Sequence, residues 1–202
     1  MPWILLLLFL FSPFANAAGE ESYDGRLWDL SLQTGMVYGN IREGSSTTTK
    51  PYGGFPFSLV LREPILRKLV LIAMFQVVVD LGNFQVSRQG IDLGVEYVLM
   101  GGQRRRIDDQ GSVKVMTEHP WDISAVFKGG FHLYSAVNPT NANDSVQGSV
   151  YQTMAGISYR RDFGKSSSFY SHALLNVINF PSSVERISPS LFELGLGWRF
   201  YL

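Results

Sequence analysis

The sequence predicts an all-β fold, an eight-stranded antiparallel transmembrane β-barrel, on three observations. The first is the closing segment, Leu194-Gly-Leu-Gly-Trp-Arg-Phe-Tyr-Leu202. Leu194, Leu196, Trp198 and Phe200 share one parity; Gly195, Gly197 and Arg199 take the other. A strand puts these sets on opposite faces, one apolar and aromatic-tipped, one tiny or charged. The second is repetition. Seven earlier runs alternate in the same way, at about the 9–11 residues that cross a bilayer as tilted strands. The third is what is missing: beyond the first residues no stretch of about 18 apolar residues occurs, which excludes membrane-spanning helices. With 20 Gly and 13% aromatic residues, the chain suits sheet.

The runs can be taken in order. Pro2 to Phe14 is apolar and is followed by Ala15-Asn16-Ala17, a small-x-small pattern. It reads as a cleaved signal peptide over residues 1–17, with one barrel domain over 18–202. The first strand run is Leu27 to Tyr38, with Trp28, Leu30, Leu32, Met36 and Tyr38 opposite Asp29, Ser31, Gln33 and Gly35. Gly39 to Gly54 reads as a long loop. The second run is Phe55 to Arg62, with Pro56 expected near the strand start. Glu63-Pro64 reads as a turn. The third run, Lys68 to Asp80, is apolar on both parities; Gln76 and Asp80 mark its inward face. Residues 81–90 read as a loop or an extended hairpin end, and the fourth run is Ile91 to Met100.

Gly101 to Pro120 is a polar connection containing Arg104-Arg105-Arg106, with a short strand at 112–117. The fifth run is Trp121 to Ala136, the sixth Ser149 to Arg161, the seventh Ser168 to Asn179 and the eighth Ser190 to Phe200. Residues 137–148, 162–165 and 180–189 connect them. An even count with eight as the smallest common size is what a barrel requires. The aromatics fall at two levels. Trp28, Trp121 and Trp198, with Tyr97, Tyr159, Phe169 and Phe200, lie near the end that holds the termini; Tyr38, Phe55 and Tyr151 lie toward the other. Amphipathic rings collect at membrane interfaces in this way.

Gly197-Trp198-Arg199-Phe200 also resembles the Gly-x-aromatic-Arg-Phe ending of small bacterial outer-membrane barrels of the OmpA/OmpX type. The specific match is confined to Gly195 through Phe200, and Tyr201-Leu202 departs from it, because the aromatic usually comes last. The resemblance implies a monomer in the outer membrane of a Gram-negative bacterium, surrounded by outer-membrane lipids and lipopolysaccharide. It makes Gly195, Gly197, Trp198 and Phe200 an insertion signal read by the barrel-insertion machinery. It further implies structural, adhesive or defensive roles through outer loops, with an extracellular ligand at residues 39–54 and 137–148; some members resemble narrow pores.

The inward set is polar and mixed in sign: Asp29, Arg62, Asp92, Glu96, Asp122, Lys128, Arg160, Glu193 and Arg199, with His132 and His172. An eight-stranded barrel is just wide enough for side chains to fill it, so these groups must pair. That reads as a salt-bridged plug; a narrow solute path is the functional alternative. A lipid-modifying hydrolase would need a nucleophile and a base at a rim, and His172, Ser171 and Glu193 are the candidates. Lipid A deacylases carry His-x-Ser-Asn late in the chain. Here the stretch is His172-Ala-Leu-Leu-Asn176, with no Ser after the His. His119, His132 and His172 lack metal-ligand spacing, and no phosphate loop occurs, so neither metal nor cofactor is expected. Charge is balanced, 17 basic against 17 acidic residues, which gives nucleic acid no purchase. Cys is absent, so disulfides contribute nothing. The arginine triplet at 104–106 reads as a solvated connection or a contact to lipid headgroups.

Overall fold

The computed structural model describes residues 29–43, 49–66, 68–80, 84–102, 104–109, 112–117, 119–136, 146–163, 167–181 and 187–201. The signal peptide expected over residues 1–17, and Trp28, lie outside them. Ten strands follow one another: β1 (Asp29–Glu43), β2 (Thr49–Leu66), β3 (Leu69–Asp80), β4 (Val86–Gly101), β5 (Arg104–Asp109), β6 (Ser112–Thr117), β7 (Trp121–Ala136), β8 (Val146–Phe163), β9 (Ser167–Pro181) and β10 (Ile187–Tyr201). Eight close into one antiparallel barrel in the order β1-β10-β9-β8-β7-β4-β3-β2, while β5 and β6 form a separate two-stranded sheet. Closure leaves the barrel no free edge. Partners traced from Asp29 through Arg62, Ile72, Gly94, Lys128 and Met154 to Asn176 lead to the level of Leu191, which pairs with Gly39. One circuit therefore climbs from Asp29 to Gly39 along β1, the stagger that tilts the strands.

Alternation is inverted relative to a soluble sandwich. On β1, Leu32 is 60% exposed between Ser31 at 0% and Gln33 at 6%. Phe57, Phe75, Leu93, Phe127, Ile157, Leu175 and Leu196 continue that outward apolar belt around the other strands. Such a wall is stable only where lipid replaces water, because exposed apolar patches of this extent are costly in solution. The chain is thus an eight-stranded antiparallel transmembrane β-barrel. One end holds Asp29, Tyr201 and the 67–68 and 164–166 connections; it is called the terminal end below, and the opposite end the far end.

Several boundaries differ from the sequence reading. Residues 39–54 are not a long loop: β1 runs to Glu43 and β2 begins at Thr49, paired through Arg42–Thr49. Their polar composition fits strand ends that extend past the apolar belt, where an outward side chain need not be apolar. Glu63-Pro64 is likewise strand, since β2 continues to Leu66. Pro56 lies well inside β2 rather than near its start. The β1–β2 ladder skips from Thr34–Phe57 to Val37–Gly54 around it, as a residue without an N–H requires. β4 begins at Val86, so of the two readings of 81–90 the extended hairpin end applies to 86–90. β8 and β9 also extend beyond their expected bounds.

The long 101–120 connection is a hairpin, paired from Arg104–Thr117 to Asp109–Ser112. The strand expected at 112–117 is β6, and Arg104–Arg106 opens β5 instead of lying in a loop. Gly101, at φ 86°, releases the chain from β4 into this excursion, a conformation glycine adopts without Cβ strain. Tyr201 belongs to β10 and pairs with Asp29, so the residue that departs from the expected ending is still part of the wall.

Candidate functional site

Among the described residues the interior concentrates the chemistry, and it is layered rather than uniformly polar. All nine charged residues expected inside are buried. They fall into two groups, each built around one carboxylate.

At the terminal end the centre is Glu96. Tyr170 donates its hydroxyl to Glu96 Oε1 at 2.6 Å, and Arg62 Nε and Arg199 Nη2 approach its two oxygens at 3.4 Å each. Asp29 faces the same two arginines at 3.5 Å each. Ser31 accepts from Arg62 Nη1 at 2.6 Å. The two guanidinium carbons lie 4.3 and 4.7 Å from the Tyr170 ring centroid. Desolvated cation–π contact of this kind adds to the ion pairs. Nearer the rim, Arg160 binds Asp122, the Gly102 carbonyl and, at 2.8 Å, Asp162.

Deeper in, the centre is Glu193, fully buried. Lys128 Nζ donates to its Oε1 at 3.0 Å, His172 Nε2 lies 3.0 Å from the same oxygen, and Arg88 Nη2 reaches Oε2 at 3.4 Å. Lys128 also faces Asp92 at 3.6 Å, and Asp92 Oδ1 lies 2.9 Å from His132 Nε2. His132, Asp92, Lys128, Glu193 and His172 therefore form one chain of contacts across the lumen. Arg88 makes a second link through Gln76, whose Oε1 accepts from Arg88 Nη2 and whose Nε2 donates to the Ser58 hydroxyl at 3.1 Å. Each histidine ring lies over a glycine on the neighbouring strand. A Cβ on Gly90 would land on His132, and one on Gly195 would land on His172. Glycine is required there by close approach, so Gly195 seats a lumen side chain besides its place in the closing motif.

Apolar layers separate and cover these groups. Val60, Ile72, Met74, Val126, Met154 and Leu174 form one cluster in the middle of the barrel. Val37, Ile41, Tyr52, Val78, Tyr134, Val150, Ile187 and Leu191 form a second toward the far end. Tyr52 and Tyr134 meet edge to face there, with ring centroids 5.8 Å apart, and their hydroxyls bond Ser87 at 3.0 Å and Gln152 at 3.0 Å. The interior is accordingly more apolar than the inward set read from the sequence. Apolar constrictions dewet, so this lumen is packed rather than open.

The candidate hydrolase residues are not assembled. His172 and Glu193 meet, but Ser171 lies on the other face, in register between Tyr159 and Leu196 on the outer wall. Strand alternation alone separates a Ser from the His beside it in sequence. Among the described residues no cluster of three His, Asp or Glu could hold a metal ion. In the membrane girdle Trp198 is exposed outward and stacks on Phe163 at 5.5 Å, Phe200 is exposed and Trp121 half-buried. Tyr151 and Phe180 meet at the other level, 6.3 Å apart. Arg88 and Tyr170 are lumen residues the sequence reading missed. A bulge between Val78–Arg88 and Val79–Val86 leaves Ser87 and Arg88 both buried, which breaks the period on which the reading relied.

The fold is a closed eight-stranded antiparallel barrel with its apolar face outward. No family model matches the sequence, and no curated protein matches it. Among solved structures, the chain is similar to the N-terminal β-barrel domain of Pseudomonas aeruginosa OprF, at 7% identity over 85% of this chain and 97% of that one, with a TM-score of 0.46. It is similar to Neisserial surface protein A at 10% identity over 85% and 96%, TM-score 0.49. It is also similar to Ail, the attachment invasion locus protein of Yersinia pestis, at 14% identity over 85% and 98%, TM-score 0.38.

Proposed function

We propose that the chain is a non-enzymatic outer-membrane barrel whose packed interior is a rigid stand for its far-end loops. The observation that supports this reading most is the pairing of an outward apolar belt with an interior closed by two apolar layers. A protein so built gains nothing as a pore, and among the described residues Ser171 is not assembled with His172 and Glu193. Its variable chemistry is left to the connections 44–48, 81–83, 137–145 and 182–186, with the strand ends that carry them. These face outside if the terminal end lies in the periplasm, and they serve structural, adhesive or defensive contact. The barrel is a monomer, surrounded by phospholipid and lipopolysaccharide, and its β10 strand is read by the insertion machinery.

Cell fractionation should recover the protein with the outer membrane. A protease site inserted in 137–145 should be cut on intact cells, and one inserted at 164–166 only after lysis; the reverse pattern overturns the orientation. Mass spectrometry of lipid A should show identical profiles for wild type and His172→Ala. A modification lost in the variant would restore the hydrolase reading.

A further inference from the structure

The outer wall of the barrel is not smooth. A groove of about 720 Å³ crosses β9, β10, β1, β2 and β3 on the lipid side. Its upper walls are Phe57, Phe75, Leu196 and Leu32, and Thr34 is the small residue between them. Thr34 pairs with Leu196 on one side and Phe57 on the other, so a short side chain stands where its neighbours are large. At its lower end the groove reaches Phe169 and Trp198, in the girdle of the terminal end. The groove thus starts at the interface and climbs toward the bilayer interior, with an almost wholly apolar lining.

A cation stands at its foot. Register partners run Trp121–Arg161, Arg161–Phe169 and Phe169–Trp198, so Arg161 is one strand from the groove mouth, with an aromatic residue on each side. Arg161 points outward and is exposed, and among the described residues it makes no ion pair. Directly opposed side chains in antiparallel strands lie about 5 Å apart at Cβ, within reach for a headgroup and a chain carried by one molecule. Anionic headgroups are attracted to bases at this depth. An apolar channel that ends beside an exposed guanidinium has the chemistry of an anionic phospholipid.

We propose that this groove and Arg161 form a binding site for one anionic phospholipid of the leaflet at the terminal end. An acyl chain lies over Thr34, the Trp198 and Phe169 rings flank the glycerol region, and the Arg161 guanidinium pairs with the phosphate. The site rests on the membrane-barrel reading above. A second copy of the chain is the competing occupant, but it would leave the Arg161 charge at an apolar contact.

The test uses the full chain in phosphatidylcholine vesicles, with Trp3→Phe, Trp28→Phe and Trp121→Phe so that Trp198 reports alone. Chain-brominated phosphatidylglycerol is compared with chain-brominated phosphatidylcholine as a quencher. The site predicts at least about threefold stronger relative quenching by phosphatidylglycerol. Arg161→Gln should lower that preference by removing the headgroup contact, and Thr34→Phe should lower quenching by both lipids by filling the groove. Equal quenching by the two lipids in the parent protein overturns the proposal, as does a concentration-dependent dimer that protects Trp198 from both. A heat-modifiable gel shift on every sample shows separately that the barrel is folded and inserted, so loss of the site is distinguished from failure of the membrane reading.

Discussion

The two carboxylate centres of the lumen are built on opposite plans. Glu96, at the terminal end, is backed up: Asp29 contacts both of the arginines that Glu96 contacts, and the Tyr170 ring lies against both guanidinium groups. Glu193 carries more alone. Lys128 has Asp92 as a second carboxylate, whereas among the described residues Glu193, at 3.4 Å, is the one carboxylate Arg88 pairs with, beside its bond to Gln76, and its Nε and Nη1 find no hydrogen-bond partner there. His132 Nδ1 and Gln152 Nε2 are buried in the same half of the barrel and find no hydrogen-bond partner among the described residues. The far-end apolar cluster lies beside this less satisfied group. Where charges share partners, an ion-pair lattice holds itself together; where they do not, apolar packing must exclude water and fix the side chains.

That contrast orders the expected effects. The largest follows from Glu193→Gln, which leaves Arg88 and Lys128 in a dry interior with one carboxylate fewer. Breaking a buried pair costs about 3–5 kcal/mol, read as a lower denaturation midpoint of the folded band in detergent. Next is Leu191→Ala in the far-end cluster, where the removed side chain and the cavity it leaves cost about 2–4 kcal/mol in the same measurement. Glu96→Gln should cost less than either, about 1.5 kcal/mol, because Asp29 still faces Arg62 and Arg199. If Glu96→Gln proves as damaging as Glu193→Gln, the claim of redundancy at the terminal end fails. The smallest effect is Tyr170→Phe, about 1 kcal/mol for one hydrogen bond with the ring retained. Tyr170→Leu should add about 1 kcal/mol by removing the ring that the two guanidinium groups share.

Gly195→Ala sharpens the comparison in another way. It should push His172 off Glu193, and combined with Glu193→Gln it should cost less than the sum of the two single changes. Strict additivity would show that the glycine and the carboxylate act on different things.

The barrel itself was legible because lipid and lumen impose opposite demands on alternate residues. Leu32 and Gln33 differ in kind for that reason, as do Leu93 and Asp92. Legibility ended where that contrast ends. On β3 both parities are apolar, since Ile72, Met74 and Val78 pack inside while Leu71 and Phe75 face lipid; period 2 carries no signal there. Past the girdle, Asn40, Arg42 and Thr49 stand on strands that the membrane no longer constrains, so residues 39–54 resembled a loop. At bulges the period slips. Ser87 joins Arg88 inside, and Val177 and Ile178 are exposed together where Thr153–Ile178 gives way to Met154–Asn176. The charged lumen residues could be named from parity, but their partners could not. Glu193 meets Lys128 from three strands away around the barrel, a contact set by closure and stagger rather than by spacing in the sequence.

The central claim is that this chain folds inside out around a packed polar lumen, with its apolar belt in lipid. Electrophoresis in dodecyl sulfate, with and without heating, tests it on protein refolded into detergent or vesicles. The account predicts a faster-migrating band in unheated samples that shifts to the 22.6 kDa position on boiling, alongside a β-sheet circular dichroism spectrum. One mobility under both conditions, together with a soluble β-rich protein obtained without detergent or lipid, would contradict it.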